Sequence, residues 1–82
     1  MKKNPHYAVG LAIKYYRENS GLSQRKLAKA VNISNAMLSM LEAGKRESIN
    51  ATTLHDIHLV LGVTCDEIME KAREKGNGNG HT

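Results

Sequence analysis

Cysteine is almost absent from this 82-residue chain: Cys65 stands alone. One cysteine cannot close an intrachain disulfide, so the fold must hold by packing, and a reducing compartment is expected. No run is apolar enough to cross a bilayer, and no charged-then-apolar leader with a small-residue cleavage site opens the chain. A soluble, cytoplasmic protein is therefore expected. Strand-type alternation and internal repeats are missing too. So is a phosphate-cradling glycine loop, since Gly76, Gly78 and Gly80 lie in a tail with no strand before them. No hydroxyl or thiol has a histidine–carboxylate partner at a telling spacing, and Ser23 and Ser34 are better used as helix caps than as nucleophiles. Cys65 opens a helix, where the dipole favours a thiolate, but such a residue more often serves as a small apolar side chain. No enzyme and no cofactor are expected.

Acidic residues are scarce in the first half. Between Met1 and Arg46, nine Lys or Arg face only Glu18 and Glu42, a net +7; from Glu47 onward three basic residues meet six acidic ones, a net −3. A lopsided charge of this kind suits one face to a polyanion. At this length there is room for one domain, modestly stable by itself, so burial in an oligomer is plausible.

What the chain does contain is helical spacing. Residues 1–6 are basic, interrupted by Pro5, and read as a flexible arm. Val9, Ala12, Ile13 and Tyr16 mark a first helix over 7–19, closed by Gly21. Ser23 caps a second helix over 24–31, with Leu27, Ala30 and Val31 inward, Ala28 at their flank, and Arg25, Lys26 and Lys29 outward. Asn32-Ile33 is a turn, and Ser34 caps a third helix that stops at Gly44. Asn50 caps a fourth over 51–61, with Leu54, Ile57, Val60 and Leu61 inside. Thr64 caps a fifth over 65–75, with Ile68, Met69 and Ala72 on one face. Residues 76–82, rich in Gly and Asn, read as a disordered tail. The domain is then 7–75: compact, all-α and built of five helices.

The third helix poses the functional question. Leu38 and Leu41 define its inner side, yet the outer side carries Asn35, Ala36, Ser39, Met40 and Ala43 without one charge. Solvated helix faces usually collect Lys and Glu. Two short helices joined by a tight turn outline a helix-turn-helix, with Ala28 allowing close approach and Ile33 plugging the turn into the core. Many small helical hairpins share that outline.

The segments VGLAIKYYRENSGLSQ, RKLAKAVNIS, LEAGKR and TLHDIHLVLGV, spanning Val9 to Gly62, resemble the Cro/C1-type (XRE family) helix-turn-helix regulators. The likeness covers about two-thirds of the chain, and its GLSQ…LA…V…S…LE.GKR series is specific. It implies a lambda-repressor-like DNA-binding fold. It also implies that Ser34, Asn35, Ala36, Ser39 and Met40 read bases in the major groove. Gln24 would sit by the DNA backbone and brace the reading helix; Arg25, Lys45 and Arg46 would approach phosphates. Arg17 and Glu42 would form a structural pair. A dimeric repressor on a palindromic operator is the expected function, with double-stranded DNA and a second copy as partners and room for a protein co-regulator. Self-association is expected through helix five and Leu59. The alternative is an antitoxin-like module that uses the same face to bind another protein.

The pattern is not met everywhere. Leu11, Tyr15, His58 and Leu59 stand where the family favours charged, small or polar residues, and together they would make an apolar patch. His55 and His58, three apart on a helix, are spaced to share a metal ion, but a closed site wants four ligands and no second cysteine exists. No metal is expected: one imidazole should be solvated and the other lodged at the core edge.

Overall fold

The computed structural model describes residues 5–45 and 49–80, with the backbone alone for 5–7 and 75–80. Five helices follow in chain order: α1 (Pro5–Asn19), α2 (Gln24–Ala30), α3 (Asn35–Glu42), α4 (Ala51–Leu61) and α5 (Cys65–Gly80). No strand occurs among the described residues.

Local chemistry sets the helix starts. Ser23 Oγ accepts the Lys26 N–H at 3.1 Å, Ser34 Oγ accepts the Met37 N–H at 3.0 Å, and Asn50 Oδ1 accepts the Thr52 N–H at 2.8 Å. Thr64 and Glu67 cap one another reciprocally, each side chain accepting the other's backbone N–H. The first four helices end alike, on a residue of positive φ: Gly21, Asn32, Gly44 and Gly62. Asn32, at φ 60°, is the sole non-glycine in that region among the described residues. Its short amide side chain tolerates the conformation that reverses the chain between α2 and α3. Ile33 N–H then bonds back to the Ala28 carbonyl at 3.0 Å, closing the turn.

Two boundaries move from the sequence expectation. α1 begins at Pro5 rather than Tyr7, because a proline in the first turn needs no N–H partner and already has a helical φ. The α5 backbone continues to Gly80 rather than stopping at Lys75. Extending a helix already packed on its neighbours requires no new nucleus, which offsets part of the glycine penalty.

The core gathers Ala8, Val9, Ala12 and Ile13 of α1 with Leu27, Ala28, Val31, Leu38, Leu41, Ile57, Leu61, Ile68 and Ala72. Ile13, Leu27, Leu38, Leu41, Ile57 and Ile68 are fully enclosed, each contributing roughly 1.5–3 kcal/mol by leaving water. α1 lies along α5 and crosses α3 closely. At that crossing Gly10 lies against the Leu41 backbone: a methyl group on Gly10 would fall 1.7 Å from the Leu41 carbonyl oxygen.

Three residues assigned inward face solvent. Ala30 is exposed while Ala28 is buried, so the inner row of α2 is Leu27, Ala28 and Val31. Val60 and Met69 are both exposed. Val60 and Met69 each lie one residue from a favourable row, and one residue is about 100° around a helix. The expected apolar patch is broken up. Leu11 and His58 are half-buried, and Tyr15 lies under the Lys71 ammonium, 4.3 Å from its ring centre. Leu59 remains strongly exposed, at 60%. No described helix is long and apolar enough to cross a membrane.

Candidate nucleic-acid interface

α2, the Asn32-Ile33 turn and α3 form the unit that carries the candidate site. α3 divides cleanly. Leu38, Leu41 and Glu42 are buried, and Met37 is half-buried. Ser34, Asn35, Ala36, Ser39 and Met40 are all exposed, giving one outward row free of charge. Ser34 has a double duty: its oxygen already accepts the Met37 N–H, which leaves its hydroxyl hydrogen to donate outward. Asn35 presents a full amide, with a donor and an acceptor side by side. On the neighbouring α2 Arg25, Lys26 and Lys29 are exposed, as is Lys45 just after α3. Arg46, assigned to the phosphate-facing set, lies outside the described residues.

A buried charge pair ties α3 to α1. Glu42, only 2% exposed at the end of α3, accepts two hydrogen bonds from Arg17 of α1: Nε to Oε2 at 2.7 Å and an η nitrogen to Oε1 at 2.9 Å. The other η nitrogen of Arg17 donates to the Leu22 carbonyl at 2.8 Å. Gln24, the first residue of α2, donates its amide N–H to Glu42 Oε1 at 3.0 Å. One carboxylate thus ties α1, α2 and α3 together, and no buried polar side-chain atom among the described residues lacks a partner. The Glu42 hydrogen bond raises the Arg17 pKa above its ordinary value, against the opposing pull of burial. The guanidinium therefore stays charged at any working pH.

Gln24 acts here through a side chain of α3, so its bracing contact runs to Glu42. Two partners in this scaffold carry no side-chain signal in the sequence: the Leu22 carbonyl and Gly10. A glycine inside a helical pattern, which costs about 1 kcal/mol against alanine, is the one clue to a close backbone approach at position 10.

The arrangement is chemically suited to a duplex. An outward row of amide, hydroxyl, methyl and thioether groups can meet base edges and thymine methyls, while the flanking cations attract phosphates. A family model described as Helix-turn-helix matches residues 13–68. Two solved structures of the clp gene regulator ClgR from Corynebacterium glutamicum are similar to this chain. One has a TM-score of 0.85 at 25% identity, covering 93% of this chain and 96% of that one. The other has a TM-score of 0.89 at 24% identity, covering 96% and 83% respectively. No curated protein matches the sequence.

Proposed function

Because the chain belongs to the XRE-type helix-turn-helix family of DNA-binding transcriptional regulators, we propose that it is a dimeric repressor that reads a palindromic operator by laying α3 in the major groove. The exposed, uncharged row of α3 carries this reading, since its amide, hydroxyl, methyl and thioether groups suit base edges and thymine methyls rather than phosphates. Asn35 bonds adenine N6 and N7, Ala36 and Met40 touch thymine methyls, and Ser34 and Ser39 donate to base acceptors. Gln24, Arg25, Lys45 and Arg46 line the phosphates. A second copy joins through α5 and Leu59, where Leu59 and Met69 offer exposed apolar surface. Two α3 helices then lie about 34 Å apart, one turn of duplex.

Selecting bound duplexes from a random pool tests this directly. A two-fold symmetric consensus is the expected outcome; no enrichment at low salt would defeat the proposal. On the selected site, log affinity should fall linearly with log salt, by about 0.9 per phosphate contact. Asn35→Ala should lose ~1–3 kcal/mol and relax the preference at one base pair in each half-site. Lys45→Ala should weaken all duplexes alike and flatten the salt slope by about one contact. Equal binding by both variants and the parent would move the contact surface away from α3.

The exposed Ala36 and Met40 also fit a protein partner. An antitoxin-like module using this face would show no affinity for duplex DNA at low salt, so the same titration separates the two readings.

A further inference from the structure

His55 and His58 lie one turn apart on α4 and belong to neither α2 nor α3. Their rings meet edge to face, with centroids 5.0 Å apart and planes at 79°. His58 Nδ1 is 3.0 Å from the Val63 carbonyl oxygen, just beyond the helix end. A carbonyl only accepts, so Nδ1 carries the hydrogen and donates it, and the neutral ring keeps its lone pair on Nε2. A ligating imidazole is commonly oriented in this way, by a backbone carbonyl on its second nitrogen. That Nε2 lies 3.3 Å from His55 Nδ1, whose N–H it accepts. A tetrahedral ion with metal–nitrogen bonds of about 2.0–2.1 Å needs its nitrogen ligands roughly 3.3–3.4 Å apart.

From this match we propose that His58 Nε2 and His55 Nδ1 form a chelating pair for one divalent transition-metal ion of the Zn2+ class, with solvent at the remaining positions. The two imidazoles suit a borderline ion; Mg2+ and Ca2+ prefer oxygen ligands. His55 is exposed, so its ring can turn to point its lone pair at the ion, moving its own hydrogen from Nδ1 to Nε2. Among the described residues no group of three or more His, Cys, Asp or Glu forms a metal cluster, so the site is open. That separates it from the closed four-ligand centre the sequence argued against. It also makes it a modest binder, one that staples a single turn of α4.

Zn2+ added to the full chain in a non-coordinating buffer tests this by calorimetry. One ion per chain is expected, and the melting temperature should rise with Zn2+ concentration, because only the folded chain presents the pair. His55→Ala and His58→Ala should each weaken binding by about tenfold or more. The His6→Ala/His81→Ala double variant should bind like the parent. Should His58→Ala unfold the chain, nitrogen NMR of the parent rings decides: Zn2+ should shift the His55 and His58 ring nitrogens. Shifts confined to His6 and His81, equal binding by the His55→Ala/His58→Ala double variant, or no Zn2+ uptake at millimolar concentration would each overturn the assignment.

Discussion

Glu42→Ala should lower the unfolding free energy by ~3–5 kcal/mol in a urea titration, the largest loss expected from any one side chain. The reason is the charge left behind. Arg17 is 9% exposed and keeps its proton, so removing Glu42 leaves a buried guanidinium with the Leu22 carbonyl at 2.8 Å and the solvent-exposed Glu18 carboxylate at 3.9 Å as its remaining partners. A domain of this size has on the order of 4–12 kcal/mol to lose. At the low end of that range much of the population should unfold, and DNA binding should fall with it. Replacing both charges with apolar residues of similar size, as Arg17→Met/Glu42→Leu, should come far closer to the parent, because no unpaired charge remains. A cost below ~1 kcal/mol for Glu42→Ala would mean that water solvates the pair as it does surface salt bridges.

Gly10→Ala should also destabilise strongly, against the direction that helix propensity predicts. Propensity alone favours alanine by about 1 kcal/mol. The added methyl would lie 1.7 Å from the Leu41 carbonyl oxygen and 2.6 Å from its carbon. Both are backbone atoms, so no side chain can swing aside. α1 and α3 must move apart, which loosens Val9, Ile13 and Leu38 together. Overpacking costs about 1–3 kcal/mol where side chains can yield. Here we expect the upper end or more, lowering the melting temperature by at least ~12 °C at about 4–8 °C per kcal/mol. A rise in melting temperature would show that the two helices are not in such close approach.

These two residues were unequally legible. The Arg17–Glu42 pair was readable only through the resemblance, since the two lie 25 positions apart and no spacing rule links them. Gly10 left a weak local mark and no hint of its neighbour. The helix starts at Ser23, Ser34 and Asn50 were plain, because capping is decided within three residues. The same locality explains the reciprocal cap of Thr64 and Glu67. Inward faces were harder. α4 carries apolar residues on several sides, so periodicity could not tell Ile57 and Leu61, which are buried, from Val60, which is not. Met69 follows the buried Ile68 and shares its character, and only the packing of α1 on α5 selects between them. Pro5 looked like a break because its role depends on whether a helix starts or continues there. The outward row of α3 was visible because it lacks what exposed helices normally carry.

That row shares no residue with the core-facing one. Folding draws on Leu38, Leu41 and Glu42, whereas Asn35, Ala36, Ser39 and Met40 stand free of the interior. Surface positions of this sort tolerate exchange within about half a kcal/mol. The scaffold therefore works like a stamp with interchangeable type: new letters can be set on the printing surface while the handle stays as it is.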